Sequence, residues 1–251
     1  MSAPIITLTT DFGAASAYVA ILKGALLAHC PQARLVDLGH DFAPGDVFAP
    51  AFHLLRTCFY YPAGTVHLIG LDPGKGPDRV LVASAAGQHF LALDNGVLGL
   101  ALEREPEAEV WAGAASRRGT FVARDVLAPL AARLAQGVQA KRLGEPVSDW
   151  MRQSLPRPRR QAGELLGEVL HLDRFGNLIT NFQPADAPHA VAIAGQTITR
   201  WASSYAELAP GELAMLWGAE GWLEISAGGA SAAQILGAAR ATPVAANSAD
   251  R

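Results

Sequence analysis

The 251-residue chain lacks several features that mark common classes of protein. Its two cysteines, Cys30 and Cys58, form no Cys-x-x-Cys motif and lie in apolar segments, which predicts buried free thiols. Charged residues make up only 17% of the chain and the formal net charge is -3, which gives no electrostatic footprint for nucleic acid. There is no signal-peptide pattern and no apolar run near the roughly 20 residues of a membrane span. We therefore expect a soluble cytoplasmic protein.

Motifs for cofactor and metal sites are also missing. There is no Gly-x-Gly-x-x-Gly and no P-loop, so the usual loops for dinucleotides and nucleoside triphosphates are absent. The histidines do not cluster at metal-ligand spacings, and they are His29, His40, His53, His67, His89, His171 and His189. The sequence therefore predicts no cofactor and no metal.

Strand-like and helix-like segments alternate in the first part of the chain. This alternation predicts βαβ units, and hence an α/β domain over residues 1–147 with a mostly parallel central sheet. A two-strand hairpin is predicted within this domain, because the apolar runs 79–84 and 88–93 are joined by a short Ala-Ala-Gly segment. The other predicted strands are 5–8, 33–38 and 65–71, and the predicted helices lie near Val19 to Leu26, at 45–59 and at 125–136.

The pattern changes in the second part of the chain. Residues 148–162 are rich in proline and arginine and have no hydrophobic period, which predicts a linker. Residues 163–240 contain short apolar runs separated by turn residues, which is typical of a smaller all-β barrel. Residues 241–251 are rich in Ala, Ser, Asn and Asp and are predicted to form a disordered tail.

Polar residues follow several of the predicted strands, where ligands collect in open α/β sheets. Asp11 suits the two vicinal hydroxyls of a ribose, although it could equally cap the following helix. Asp72 lies in a loop rich in Pro and Gly that could bring it to Arg79, whose guanidinium can hold a water or an anion; the alternative is an ordinary salt bridge. Asn95 belongs to an Asp-Asn-Gly segment, which is also common in simple turns.

A second candidate recognition loop lies in the predicted barrel. Phe175 could stack on a purine, Asn177 could read the purine edge, and Asp173 could pair with an ammonium or sulfonium group. The alternative is a β-turn with a buried phenylalanine.

Several short motifs occur in an order that resembles the S-adenosyl-methionine hydroxide adenosyltransferase family, the hydrolytic relatives of fluorinase and chlorinase. The resemblance runs from residue 5 to residue 236, and it implies a seven-stranded α/β domain, a C-terminal β-barrel and a homotrimer. It also implies a ligand held between the N-domain of one chain and the C-domain of the next. The motifs are Thr10-Asp11-Phe12-Gly13 with Tyr18, Asp72-Pro73-Gly74 with Arg79, Asp94-Asn95-Gly96, Thr120-Phe121 with Arg124-Asp125, Phe175-Gly176-Asn177, and Gly221-Trp222-Leu223-Glu224-Ile225.

The resemblance implies an S-adenosyl-methionine hydrolase, in which water attacks the ribose C5′ and releases adenosine and methionine. S-adenosyl-methionine is then the substrate, with no separate cofactor. By motif, Asp72 and Arg79 are two members of a catalytic Asp-Arg-His set. The implied substrate-binding residues are Asp11 for the ribose, Phe175 and Asn177 for the adenine, Asp173 for the methionine amino group, and also Tyr18 and Asn95.

The chain departs from the family pattern at the catalytic set. The histidine expected after Thr-Phe is Val122, and the acidic residue expected five positions after Asp11 is Ser16. The long insertion that halogenating relatives carry between the Arg79 strand and the Asp-Asn-Gly motif is absent. A slow hydrolase is therefore expected. The alternatives are an adenosyl-binding protein with little or no catalysis and a halide-using synthase.

Overall fold

A computed structural model describes residues 3–72, 74, 78–114, 120–161 and 163–248. The chain divides into two compact units, Met1–Ser154 and Leu155–Arg251. The division falls inside the segment 148–162 that was predicted as a linker. Part of that segment is regular structure, however, because Arg159–Gln161 pairs as a strand with the residues that follow it.

The first unit is built on one seven-stranded sheet with helices between its strands. Its elements are β1 (Ile5–Thr10), α1 (Ala17–His29), β2 (Arg34–Gly39), α2 (Phe48–Thr57), β3 (Val66–Gly70), β4 (Arg79–Ala85), β5 (Gln88–Leu93), α3 (Gly99–Glu103), β6 (Glu109–Ala114), α4 (Ala128–Ala135) and β7 (Glu145–Pro146). A π-helix, Ala123–Leu127, leads directly into α4. The strand order in the sheet is β2-β1-β3-β5-β4-β6-β7.

The sheet is mixed, so the prediction of a mostly parallel sheet was wrong. The pairings among β2, β1, β3 and β5 are parallel, whereas those among β5, β4, β6 and β7 are antiparallel. The predicted hairpin of β4 and β5 is confirmed, and it explains why these two strands are antiparallel. Ala86 and Gly87 both have positive φ, 50° and 74°, which is the conformation of a two-residue hairpin turn. So short a reversal can join only antiparallel strands.

Helix α1 covers the sheet with one apolar face. Val19, Leu22 and Leu26 follow the spacing of a helix and are buried, the last two completely. Ile21 is also apolar, but it lies to one side of this face and is 42% exposed. None of the helices in the described part of the chain is both long and apolar enough to cross a membrane.

The second unit is an antiparallel, nearly closed, barrel-like sheet. Its elements are β8 (Arg159–Gln161), β9 (Glu164–Leu172), β10 (Leu178–Thr180), β11 (Pro188–Ile193), β12 (Gln196–Ile198), β13 (Leu213–Trp217), β14 (Leu223–Ala227), α5 (Ala232–Leu236) and β15 (Pro243–Ser248). The order is β12-β11-β15-β9-β10-β14-β13, with β8 beside β9. A bridge from Trp201, just after β12, to Met215 in β13 brings the two edges of the sheet together.

The predicted disordered tail is largely a strand. Within residues 241–251, Pro243–Ser248 forms β15, which pairs with both β9 and β11 in the interior of the sheet. Val244 and Ala246 point to the same face and are 1% and 0% exposed. This alternation of buried residues outweighs a composition that, taken alone, is typical of disorder. Residues 249–251 lie outside the described residues.

Both cysteines are buried free thiols, as predicted. Burial raises the pKa of the Cys58 thiol to about 12, so this group stays protonated and unreactive at neutral pH.

Candidate active site

Most of the predicted ribose and catalytic residues lie at one edge of the first unit's sheet. Strands β1, β2, β3 and β5 are parallel and therefore end at the same edge. Asp11 directly follows β1, His40 follows β2, and Asp72 lies two residues beyond β3. Asp94 follows β5, and Arg79 begins β4, which runs antiparallel to β5. The fold thus gathers side chains that are far apart in sequence.

Asp11 does not cap the helix that follows it. The N-cap of α1 is Ser16, whose Oγ accepts a hydrogen bond of 3.2 Å from the Tyr18 N–H. The capping alternative for Asp11 was therefore wrong. Asp11 is partly buried, and its carboxylate accepts no hydrogen bond from the described residues. Its oxygens are consequently available to a ligand.

Three aromatic rings surround the turn that carries Asp11. The ring centroids of Tyr18 and Phe121 are 5.1 Å apart and those of Phe12 and Phe121 are 5.5 Å apart, both in edge-to-face geometry. The guanidinium of Arg124 lies 5.3 Å from the Phe121 centroid. The Tyr18 ring also lies 6.1 Å from that of Phe12, the residue after Asp11, and Tyr18 is 56% exposed, so a predicted substrate-binding ring near Asp11 has much of its surface open to a ligand.

Arg79 is anchored by two acidic residues. Its Nε donates to Asp94 at 2.7 Å, and its terminal nitrogens lie 3.1 Å from the Asp149 carboxylate and donate to the Asp149 carbonyl at 3.1 Å. The hydrogen bond to Asp94 raises the pKa of Arg79, which therefore stays charged. The sequence suggested Asp72 as its partner, but the contacts described for Arg79 are with Asp94 and Asp149. The Asp-Asn-Gly motif contained Asp94, yet nothing in it indicated this partner.

The loop after β3 is held by a buried amide. Asn95 is 5% exposed, and its Nδ2 donates to the Leu71 carbonyl at 3.0 Å. Its Oδ1 accepts from the Val97 N–H at 3.1 Å. These contacts position the residue just before Asp72, and direct substrate binding by Asn95 stays a prediction. Asp72 is exposed and its Oδ1 accepts from the Gly74 N–H at 3.0 Å. Pro73 and residues 75–77 of this motif lie outside the described residues.

In the second unit, Asp173 organises the predicted recognition loop. Its Oδ1 accepts from the Phe175 and Asn177 N–H groups at 2.9 and 2.8 Å, and its Oδ2 accepts from the Asn177 side chain at 2.8 Å. Gly176, with φ 83°, allows the chain to reverse between them. Phe175 is 77% exposed, so the alternative of a turn with a buried phenylalanine was wrong.

This loop borders a cavity of about 630 Å³. Its lining includes Asp173, Phe175, Asn177, Tyr205, Ala227 and Ser231. Sequence reasoning missed Tyr205. Its hydroxyl donates to Glu224 at 2.7 Å, and burial together with this hydrogen bond raises the Tyr205 pKa, so the phenol stays protonated. Because its hydroxyl is hydrogen-bonded to Glu224, Tyr205 can contact a ligand in the cavity through its aromatic ring. The only sequence signal was that Glu224 belongs to a recognised motif.

Known proteins match both units. Residues 6–144 match the SAM hydroxide adenosyltransferase N-terminal domain, and residues 167–245 match the corresponding C-terminal domain. The chain belongs to the SAM hydroxide adenosyltransferase family. It is 35% identical over 248 residues to the (R)-S-adenosyl-L-methionine hydrolase of Salinispora tropica, covering 93% of this chain and 94% of that protein. The resemblance inferred from the motifs is confirmed.

Less similar proteins also match over most of the chain. A fluorinase from an Actinoplanes species is 28% identical over 221 residues, covering 74% of each chain. The crystal structure of an uncharacterized conserved protein from Thermotoga maritima superimposes with a TM-score of 0.87 at 27% identity, covering 96% of this chain and 99% of that one.

Val122 stands at the position where this family's pattern led us to expect a histidine. It immediately precedes the π-helix and packs, partly buried, against the apolar core of the first unit. A Cβ placed on Gly70, at the end of β3, would lie 3.2 Å from both the Ala123 Cβ and the Thr10 Cγ2. The start of the π-helix therefore lies directly over the ends of β1 and β3, at the candidate site. At Val122 this site has a branched apolar group in place of an imidazole.

Among the described residues, no buried or partly buried histidine of the first unit takes the place of the histidine expected at Val122. Each is already hydrogen-bonded within the fold: His40 to Thr10, His53 to the Leu38 carbonyl, His67 to Thr7 and His89 to Ser84. Burial lowers the pKa of His53, His89 and His67, in the last case to about 4. Among the described residues there is also no group of three or more His, Cys, Asp or Glu side chains that could hold a metal ion.

Proposed function

We propose that this chain hydrolyses S-adenosyl-methionine to adenosine and L-methionine. The observation that carries the proposal is the pair of carboxylates at the ends of β1 and β3, Asp11 and Asp72, of which Asp11 is free of helix capping and Asp72 is exposed. They occur in a chain that aligns over nearly its whole length with a protein named as an (R)-S-adenosyl-L-methionine hydrolase. The same family match favours the (R) sulfonium epimer as the substrate to try first.

The binding roles follow from the two sets of residues. Asp11 accepts hydrogen bonds from the two ribose hydroxyls, and the Tyr18 ring covers the sugar. Phe175 and Tyr205 provide aromatic surface for the adenine, and Asn177 reads its edge. Asp173 supplies negative charge for the methionine ammonium, in addition to holding its own loop.

The chemistry needs few protein groups. A water oxygen attacks C5′ in line with the C5′–S bond, and that bond breaks with its electron pair passing to sulfur. A sulfonium is already a good leaving group, so alignment and proton removal are the main tasks. Asp72 orients the water and accepts its proton. Arg79 supplies positive charge that favours hydroxide character, since the contacts described for it use about three of its five N–H groups.

Val122 is the reason to expect slow hydrolysis, and it also motivates the alternative of an adenosyl-binding protein. A positioned acid or base contributes roughly a hundred- to ten-thousand-fold in rate, so a site with valine in place of histidine turns over slowly. In the alternative, the chain binds an adenosyl ligand with little or no catalysis. A halide-using synthase ranks lower, because the fluorinase match is less similar than the hydrolase match.

We also propose a cytoplasmic homotrimer with its sites at subunit interfaces, without a further cofactor, nucleic acid or membrane as partner. The ribose and catalytic residues belong to the first unit and the adenine residues to the second, which suits a site completed by another subunit. Two buried free thiols suit a reducing compartment.

The test is to incubate the purified chain with each sulfonium epimer and to quantify adenosine and methionine. We expect equimolar products, loss of activity in Asp72→Asn, and retention of activity in the control Asp78→Asn, an exposed aspartate of the same loop. Adenosine binding without product over hours would instead favour the binding protein. A 5′-chlorinated deoxyadenosine formed with chloride would favour the synthase.

A further inference from the structure

The turn that carries Asp11 is tied to the end of β2. Residues 11–16 lie between β1 and α1 and have no regular structure of their own. The Gly13 N–H donates to the His40 carbonyl and the Ala14 N–H donates to the Asp41 carboxylate, both at 2.7 Å. The position of the proposed ribose carboxylate thus depends on the segment that begins with His40.

The His40 side chain lies beneath the same turn. His40 is 5% exposed, and its Nδ1 is 2.8 Å from the Thr10 Oγ1. Thr10 is fully buried, and its Oγ1 also accepts from the Phe12 N–H at 3.4 Å. The residues on both sides of Asp11 are therefore linked, through one hydroxyl, to the imidazole.

The far side of the ring faces a charged pair. The His40 Nε2 lies 3.1 Å from the Asp37 Oδ1, and Lys23 of α1 donates to the Asp37 Oδ2 at 2.6 Å. The Nε2 contact is electrostatic and bent, because this nitrogen has no hydrogen-bond partner of good geometry among the described residues. Burial acts to raise the pKa of Asp37, but the hydrogen bond from Lys23 and the contact with His40 outweigh it and hold the pKa below its usual value. Asp37 is thus a permanent carboxylate.

The carboxylate favours one neutral tautomer of His40. A neutral imidazole with its proton on Nε2 faces Asp37 favourably and leaves Nδ1 as an acceptor. Thr10 then donates its hydroxyl proton to Nδ1 and keeps its lone pairs for the Phe12 N–H. In this arrangement the Thr10 hydroxyl serves both neighbours, as donor to His40 and as acceptor from the Phe12 N–H.

We propose that His40 is the positioning residue of the ribose site: through Thr10 it holds the turn on which Asp11 meets the two ribose hydroxyls. This inference rests on the proposed adenosyl function. His40 does not act on the substrate itself, since both of its ring nitrogens face Thr10 and Asp37 inside the fold. It therefore does not replace the histidine that is missing at Val122.

Calorimetric binding of two nucleosides tests this role without requiring turnover. Adenosine has the hydroxyls that Asp11 would bind, whereas 2′,3′-dideoxyadenosine lacks them. We expect His40→Ala to weaken adenosine binding about tenfold, the effect of losing one well-oriented hydrogen bond, and to leave dideoxyadenosine binding unchanged. His40→Asn, whose amide reaches the position of Nδ1, should restore most of the adenosine affinity.

The matched control is His89→Ala. His89 makes the same kind of contact, Nδ1 to the Ser84 hydroxyl at 3.0 Å, but it lies near the start of β5, at the opposite edge of the sheet. The His89→Ala variant should bind adenosine and dideoxyadenosine with unchanged affinity. If His40→Ala does not fold, Asp37→Asn removes the orienting charge from a residue with a 42% exposed side chain, and it should weaken adenosine selectively.

Nucleoside binding by the unmodified chain distinguishes a failure of the proposed function from a failure of the role of His40. An unmodified chain that binds neither nucleoside contradicts the proposed function and, with it, the role of His40. An unmodified chain that binds adenosine while His40→Ala or Asp37→Asn leaves its affinity intact, or weakens both nucleosides equally, contradicts the positioning role alone.

Discussion

Replacing Asp94 with asparagine changes a single buried contact at the edge that carries the candidate site. The Asp94 side chain is 0% exposed, and it accepts from the Arg79 Nε at 2.7 Å and from the Met151 N–H at 2.8 Å. Asparagine has nearly the same shape and can still accept from Met151. Its amide group, however, would face the guanidinium, so that two donors meet and Arg79 loses its buried counter-charge.

The expected cost is large for one substitution. Removing one partner of a fully buried ion pair costs about 3–5 kcal/mol. Arg79 has a 22% exposed side chain and keeps its contact with Asp149, which softens the loss, so we expect about 2–3 kcal/mol. Asp125→Asn is the matched control, because Asp125 pairs with Arg124 at 2.6 Å but their side chains are 33% and 44% exposed. An ion pair of this kind at the surface contributes little to stability.

Urea denaturation followed by tryptophan fluorescence measures both variants. Trp150 lies between Asp149 and Met151, so its emission also reports on the segment that Asp94 and Arg79 anchor. We expect a lower midpoint for Asp94→Asn and no resolvable change for Asp125→Asn. Equal effects of the two substitutions would refute the reasoning, since the ion-pair distances are nearly equal and burial is the main difference between the two pairs.

Three further outcomes are expected. Val122→His should raise the initial rate of adenosine release about a hundredfold or more, and an unchanged rate would remove the proposed cause of slow turnover. Phe175→Ala should weaken adenosine binding about tenfold without shifting Tm, because the ring is 77% exposed and supports no core; calorimetry and thermal unfolding decide this. Burial lowers the His67 pKa from 6.5 to about 4, so the unfolded chain binds more protons between these values. Stability should therefore fall by about 3 kcal/mol from this group as pH drops from 6.5 to 4, and His67→Gln should lose that share of the pH dependence in urea titrations.

Local pattern was enough to place most elements and candidate positions. The Ala86 and Gly87 turn, the first strand and the face of α1 that carries Val19 are all encoded within a few neighbouring residues. Asp11 and Asp72 could be singled out because strand ends are visible in sequence, and parallel strands share an edge. The motif order around these residues also pointed to the correct family.

Contacts between distant segments were decided only by the tertiary structure. Asp94 and Met151 are 57 positions apart, and Thr10 and His40 are 30 apart, so no local period records that they meet. The same holds for β15. Its composition is typical of a disordered tail, and only its pairing with β9 and β11 makes it a strand. Sequence by itself determined the order of elements and the polar groups at their ends, because these depend on neighbouring residues. The partners of Arg79 and the supports of Asp11 depend on which strands and loops pack together, and that is a property of the folded chain alone.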